Sequence, residues 1–272
     1  MRVSAQTIQG FRMVVWEHFH TFGRHSLPWR KTKDAYKILV SELMLQQTQV
    51  QRVLPKYAEF LKRFPNTQAL AAAPLGEVLK VWQGLGYNRR AKFLHQAAQE
   101  VVRSNGGRLP STEAKLLLLP GIGKATASAL MAFAFNKPTT YLETNVRSVY
   151  LHYFFRNTKG VGDAELLPLI ARAAEGQDSR TWNWALLDYG VYVKTTFGNP
   201  NVKSKHYTKQ SRFEGSDRQI RGQILRILSD GATQESELLL ELGQEAQRVR
   251  KILKSLLEEG LISKRRGRLY VG

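Results

Sequence analysis

Two glycines and a lysine stand immediately before a predicted helix in the stretch LPGIGKATASALMAF, residues 119–133. A helix begins with unsatisfied backbone N–H groups and the positive end of its dipole. Gly121 and Gly123 allow a second backbone to approach closely, and Lys124 adds a positive charge, so a phosphate fits this turn. A plain helix-turn-helix elbow has a similar sequence, and the pattern alone leaves both interpretations open. The residues predicted to contact phosphate here are Gly121, Gly123, Lys124, Ala125 and Thr126.

The charge balance favours a polyanionic partner. The 272 residues include 41 Lys plus Arg and 22 Asp plus Glu, a net charge of +19. Such an excess is typical of nucleic-acid binding, although a generally basic proteome or ribosome association would give a similar balance. We find neither a signal-peptide pattern nor an apolar run near the roughly 18 residues of a membrane span. We therefore expect a cytoplasmic protein, nucleoid-associated if bacterial. We also expect a monomer.

Helical periodicity dominates the chain up to about residue 193. Residues 35–64 carry apolar side chains at helical spacing, with a break expected near Pro55. Further helices are predicted at 75–86, 90–107, 111–121, 124–135 and 144–155. The pattern indicates an all-α body of short helices.

A polar, basic segment and a small module follow this body. Residues 194–217 lack helical periodicity and are interpreted either as a solvated linker or as a loop that touches DNA. Beyond them, three helices and a hairpin turning at Arg266–Gly267 resemble a winged-helix domain. Its basic tip suits a phosphate backbone, although the acidic second helix keeps docking on a protein open. The tip residues predicted to bind phosphate are Lys264, Arg265 and Arg266, beside Arg268.

The motifs taken together resemble the helix-hairpin-helix (HhH-GPD) DNA glycosylase superfamily, closest to its adenine-glycosylase (MutY) branch. The resemblance runs from about Val15 to Gly190. It rests on the strings LPWR, SELMLQQTQV, WQGLGYNRRAKFLHQAAQ, LLLLPGIGKATASALMAF, LETNV and WNWALLDYG. The family fold implied is all-α, with a two-lobed helix-hairpin-helix glycosylase body. The chain would then divide into a body at 1–193, with a six-helix lobe at about 27–133 and a second lobe from 1–26 plus 134–193, a linker at 194–216, and a winged-helix-like domain at 217–272.

The resemblance assigns catalytic roles to three residues. Glu42 matches the glutamate that protonates adenine N7, so it must carry a proton at the working pH, which burial favours. Glu143 falls where the family has an aspartate that stabilises the developing cation on the sugar and helps water to attack. Glutamate is one methylene longer, and a shift of about 1 Å near a reacting carbon can cost a hundredfold in rate. Asn145 matches the asparagine that assists on the sugar side, and it also suits a helix N-cap.

Five further residues match positions that handle the extruded base. Gln46, Gln47 and Tyr87 correspond to side chains that enter the duplex and fill the gap, which offsets part of the few kcal/mol spent on flipping. Trp29 and Arg30 would help to form the wall of the base pocket. Tyr87 would be a core aromatic in a purely structural interpretation, but its place in a glycine-rich turn argues for exposure.

Three departures from the family pattern limit the expected activity. Bifunctional relatives carry a nucleophilic lysine where this chain has Ala125, so we expect a monofunctional enzyme without strong lyase activity. The chain has no cysteine, and Lys194 stands about where the first cluster ligand would be, so we expect no iron–sulfur cluster and no cofactor. The C-terminal module is too short and too helical to match the domain that reads 8-oxoguanine in that branch.

The resulting hypothesis is a base-excision-repair glycosylase acting on double-stranded DNA with a mismatched or damaged base. Its leading substrate is adenine opposite guanine or 8-oxoguanine. A glycosylase for thymine or uracil opposite guanine is a second possibility, and a non-catalytic DNA-binding protein on a retired glycosylase fold is a third.

Overall fold

The computed structural model describes residues 3–272, which form a mainly helical chain. In chain order the elements are α1 (Ala5–Phe22), the 3-10 helix η1 (Pro28–Arg30), α2 (Ala35–Leu45), α3 (Val50–Arg63), α4 (Thr67–Ala72), α5 (Leu75–Trp82), α6 (Arg89–Asn105), α7 (Glu113–Leu116), α8 (Lys124–Phe133), α9 (Thr144–Phe154), α10 (Asp163–Ala174), α11 (Ser179–Phe197), the 3-10 helix η2 (Pro200–Lys203), α12 (Asp217–Asp230), β1 (Thr233–Gln234), α13 (Glu235–Leu242), α14 (Ala246–Glu258), β2 (Ile262–Arg265) and β3 (Arg268–Val271). The all-α body and the winged-helix-like C-terminal part are confirmed. None of the helices among these residues is long and apolar enough to cross a membrane.

The chain divides into two compact units. The first unit combines the chain through Ile38 with Ser111–Leu117 and Ile122–Lys209, and the second combines Leu39–Pro110, Leu118–Gly121 and Gln210–Gly272. The lobe and linker boundaries drawn from the sequence stay a prediction.

The core of the first unit is aromatic and forms around α1, α9 and α11. Phe11 lies with its ring centroid 5.1 Å from that of Tyr150 and 6.1 Å from that of Trp182, and all three side chains are buried. The buried residues of α1 are Ile8, Phe11, Val15 and Phe19, whose helical spacing places them on one face.

In the second unit the winged-helix-like part packs on α5. Its sheet has the order β1–β3–β2 with antiparallel pairing throughout, and α12 and β3 lie against α5. A side chain at Gly76, at the start of α5, would come within 3.2 Å of Val271 in β3. The C-terminal part therefore packs against α5 within this unit.

Two predictions of local structure were wrong in detail, the place of the break in 35–64 and the lack of helix directly after residue 193. The break in 35–64 falls at residues 46–49, where Gln47 has a φ of 54°, whereas Pro55 lies inside α3. An exposed proline early in a helix removes one hydrogen bond, and α3 continues because Val53, Tyr57 and Phe60 remain buried on its other side. The last turn of α11 also runs to Phe197, into the segment predicted as linker.

Candidate functional site

Glu143 forms the N-cap of α9 in the first unit. Its backbone is extended, with φ −134° and ψ −176°. Oε1 accepts hydrogen bonds from the backbone N–H groups of Asn145 at 2.6 Å and Val146 at 2.8 Å. Oε2 accepts from Asn145 Nδ2 at 3.3 Å. The carboxylate is therefore fixed at the positive end of a helix dipole.

The electrostatic environment of Glu143 is balanced between burial and positive charge. Burial raises the pKa of Glu143 above its ordinary value, and the N–H groups of Val146 and Asn145 and the charges of Lys194 and Arg147 oppose this without cancelling it. Burial also lowers the pKa of Lys194, which Glu143 partly restores. Lys194 is thus a second titratable group coupled to the predicted catalytic carboxylate, although the sequence indicated only a basic linker there.

Asn145, in the first turn of α9, lies close against α11. A Cβ atom at Gly190 would lie 2.4 Å from the backbone oxygen of Asn145 and 2.8 Å from its Cβ, so only glycine allows this approach. The side-chain oxygen Oδ1 of Asn145 is buried and has no hydrogen-bond partner among the described residues. Buried acceptors normally have a donor, so this oxygen can accept a hydrogen bond from a substrate or a water molecule.

Trp29 and Arg30 lie in η1, also in the first unit. The two terminal nitrogens of Arg30 donate to the carboxylate of Asp188 at 2.7 and 2.8 Å, and Arg24 donates to the same group at 2.6 Å. Burial alone would raise the pKa of Asp188, but hydrogen bonding and charge from Arg30 and then Arg24 lower it overall. Arg30 also stacks over Trp184 at 5.5 Å. Its guanidinium is therefore committed to holding η1 on α11, and Trp29 beside it is buried.

Glu42 and the predicted duplex-entering residues belong to the second unit. Glu42 is partly buried on α2, between Ser41 and Leu43, which are both buried. Gln46 and Gln47 follow the end of α2, and Tyr87 follows α5; all three are exposed. Gln47 and Tyr87 have left-handed backbones, with φ of 54° and 48°. Such strain in residues other than glycine is concentrated at functional sites.

Arg90 joins the two strained loops, and sequence reasoning missed it. It is only 8% exposed, and its guanidinium lies 5.3 Å from the ring of Tyr87. Its terminal nitrogens donate at 2.5 to 3.2 Å to oxygens of Leu43, Met44, Gln46, Thr48, Leu85 and Gly86. The only signal in the sequence was an arginine within the matching string GLGYNRRAKF, which gives no indication of burial.

The predicted phosphate contacts are spread over both units. In the second unit, Gly121 has a φ of 73°, and a Cβ there would lie 2.4 Å from that of Phe93. In the first unit, α8 begins after Gly123 without a side-chain cap. Lys124 and Ala125 are exposed, whereas Thr126 is buried. The backbone N–H of Thr126 is one of the first N–H groups of α8, which have no acceptor within the helix.

The basic tip of the winged-helix-like part is a two-residue hairpin turn. Arg266 and Gly267 both have positive φ, at 48° and 77°, as a type I′ turn requires. Lys264 and Arg265 precede the turn and are exposed, and Lys264 lies 3.7 Å from a carboxylate oxygen of Glu235. The predicted hairpin is confirmed, while β1, which pairs with β3, was not predicted.

The residues present do not fit a cysteine-bound cluster. The chain has no cysteine, and the described residues contain no group of three potential metal ligands. After α11, the side chain of Asn201 in η2 donates to Ser148 Oγ at 2.6 Å and to the backbone oxygen of Thr144 at 3.2 Å. A buried amide thus fastens this segment to α9.

Comparisons with known proteins identify the family of the chain. Residues 40–167 match the model of the HhH-GPD superfamily base excision DNA repair protein. The adenine DNA glycosylase of Mycolicibacterium smegmatis is 35% identical over 268 residues, covering 90% of each chain. That of Buchnera aphidicola subsp. Baizongia pistaciae is 38% identical over 184 residues, covering 67% of this chain and about half, 52%, of the relative. A solved structure described as a thermostable thymine-DNA glycosylase is 27% identical, with a TM-score of 0.60, and the match covers 68% of this chain and 86% of the other.

These matches define the class. The chain belongs to the HhH-GPD superfamily of base excision DNA repair proteins.

Proposed function

We propose that this protein is a monofunctional DNA glycosylase that hydrolyses the N-glycosidic bond of adenine mispaired with guanine or 8-oxoguanine. The observation that carries the proposal is the carboxylate of Glu143, fixed at the start of α9 beside an unpaired amide oxygen of Asn145. Family membership and the adenine-glycosylase relatives support the choice of base.

The two glutamates have complementary roles in this proposal. Glu42 donates a proton to N7 of the flipped adenine, which converts the base into a neutral leaving group. Glu143, ionised, opposes the positive charge that develops on the sugar and orients the attacking water. Because burial raises the pKa of Glu143, the nearby positive charges of Lys194 and Arg147 favour the ionised form that the reaction needs.

Double-stranded DNA is the proposed partner, bound by a monomer. The exposed start of α8 and the basic hairpin turn would contact phosphates, while Gln46, Gln47 and Tyr87 would enter the duplex. Trp29 would form part of the pocket wall, with Arg30 holding it in place. Ala125 in place of a nucleophilic lysine supports base release without strand cleavage.

The test is a panel of duplexes with mismatched or damaged bases, scored for strand breaks after alkaline treatment under single-turnover conditions. Glu143→Gln should lower base release by two or more orders of magnitude while duplex binding survives. Glu42→Gln should reduce adenine release most strongly. Glu165→Gln, which removes another carboxylate from the start of a helix, is the matched control and should leave base release unchanged. If neither glutamine variant slows release of any excised base, the assigned roles are wrong.

A thymine–guanine glycosylase is the second candidate, and the structural match to a thymine-DNA glycosylase favours it. Thymine is a pyrimidine without an N7, so its release does not depend on protonation of that atom. Release of thymine with an indifferent Glu42→Gln variant would therefore select this candidate. Tight lesion binding with no release from any duplex would instead indicate a retired enzyme.

A further inference from the structure

A wide groove runs through the second unit between α12 and the two strained loops. Its volume is about 1280 Å³, and its walls come from α3, the loops at 46–47 and 83–88, the start of α6, and α12. Sites for small molecules usually occupy about 300–1,000 Å³ and enclose the ligand. This groove is larger and partly open to solvent, so it can hold a segment of an extended polymer.

The groove is strongly basic. Glu259 is the only acidic side chain among the described residues that line it, and Arg221 already neutralises it at 2.6 Å. Arg226 is exposed and has no ion-pair partner among the described residues. Arg52 donates to the backbone oxygen of Gly84 at 2.6 Å and has no ion-pair partner among the described residues. The basic residues lining the groove are Arg52, Lys56, Arg89, Arg90, Arg218, Arg221 and Arg226.

The far wall of the groove is hydrogen-bonded to the residues predicted to enter the duplex. Gln210 donates from Nε2 to the side-chain oxygen of Gln47 at 3.0 Å and to the hydroxyl of Tyr87. Arg218, in the first turn of α12, donates to the same hydroxyl at 3.0 Å and to the backbone oxygen of Ser211 at 2.7 Å. The segment 210–218 is thereby placed beside the tips of both loops.

We propose that this groove binds the DNA strand that carries the base opposite the excised one. The inference rests on the proposed function, in which Gln47 and Tyr87 fill the gap in the duplex. A side chain that fills this gap contacts the base left unpaired, so groups hydrogen-bonded to Gln47 and Tyr87 lie next to that base. Arg52 and Arg226 then meet phosphates of its strand, and Gln210 and Arg218 offer hydrogen bonds to its edge.

Binding at several salt concentrations tests the phosphate contacts. The probe is a duplex with a stable abasic-site analogue, which requires no base release. Removing one arginine that binds a phosphate should reduce the slope of log affinity against log salt by about 0.9. Arg52→Gln and Arg226→Gln should each show this reduction. Arg103→Gln, on the exposed far end of α6, is the matched control and should leave the slope unchanged. Slopes that stay unchanged in both groove variants would overturn the proposal.

Two further variants separate strand binding from a blocking contact. Gln210→Ala and Arg218→Gln should weaken binding and change the ratio of affinities between duplexes that differ only in the base opposite the abasic site. If either variant instead binds every duplex more tightly, segment 210–218 obstructs DNA and the proposal is wrong. If the groove variants alter the slope but the protein excises no base from any duplex, the groove proposal stands and only the proposed function is wrong.

Discussion

Replacing Arg90 should destabilise the second unit more than any other single arginine substitution there. Arg90 lies between the end of α2 and the turn after α5, and its nitrogens donate to backbone oxygens on both sides. Burial lowers the pKa of Arg90 to about 10, which still leaves the side chain charged at neutral pH. The positive charge also interacts favourably with the negative end of the α2 dipole.

The expected cost follows from the acceptors that would be left without a donor. Leu43, Met44 and Leu85 are buried, and an unsatisfied buried carbonyl costs about 1–3 kcal/mol. The oxygen of Leu85 keeps a donor in Thr48 Oγ1 at 3.4 Å, so two buried carbonyls lose their donor. Water can reach the oxygens of the exposed residues Gln46 and Gly86, so these add little. Arg90→Gln should therefore cost about 2–6 kcal/mol, a large part of the roughly 5–15 kcal/mol that holds a typical domain. Arg90→Lys should cost less, because one ammonium can serve one loop but cannot reach both.

Equilibrium unfolding in urea, followed by circular dichroism, measures this difference. Arg89→Gln is the neighbouring control; its side chain is 61% exposed, and surface changes usually stay within about 0.5 kcal/mol. Equal unfolding midpoints for Arg89→Gln and Arg90→Gln, at unchanged m-values, would refute the assignment of Arg90 as the link between the loops.

Three other predictions concern the first unit and the basic hairpin. Lys194→Gln removes a charge that favours ionised Glu143, so the pH below which base release falls should move upward, whereas Lys194→Arg should keep it; identical single-turnover pH profiles would contradict this. Gly190→Ala should lower stability by about 1–3 kcal/mol in thermal unfolding, because its Cβ would overlap the backbone of Asn145; an unchanged melting temperature would rule out the tight approach of α11 and α9. Arg265→Gln with Arg266→Gln should reduce the salt slope of duplex binding by up to about 2, and an unaltered slope would exclude the hairpin from the DNA interface.

Local signals in the sequence predicted what depends on local physics. The turn at Arg266–Gly267 was predictable because the two-residue hairpin turn between short strands needs positive φ at both positions. The C-terminal end of α6 was predictable because Gly106 adopts the left-handed conformation there. In contrast, β1 spans only two residues, which is too short to show a strand period.

Features that depend on distant parts of the chain could not be predicted. The end of α2 is fixed by Arg90, about 45 residues further on. The sequence around Gln47 contains neither glycine nor proline, the residues that indicate a helix break, so the break was predicted at Pro55 instead. The hydrogen bonds of Gln210 to Gln47 and Tyr87 likewise join segments that no local pattern connects.

Glu143 serves the fold and the proposed chemistry through different atoms. Oε1 accepts both backbone N–H groups at the start of α9, so the helix cap occupies that oxygen. Oε2 accepts only the longer bond from Asn145 Nδ2, and the buried Oδ1 of Asn145 has no donor among the described residues. A water molecule donating one hydrogen to each of these two oxygens would keep a lone pair free for attack on the sugar. An aspartate at this position could still cap α9, since Asp is a favoured N-cap residue. Its second oxygen would lie closer to the backbone, because the side chain is one methylene shorter. In the proposed mechanism, the extra length of Glu143 therefore changes the position of Oε2 and leaves the cap intact, which is why Glu143→Asp should alter base release far more than stability.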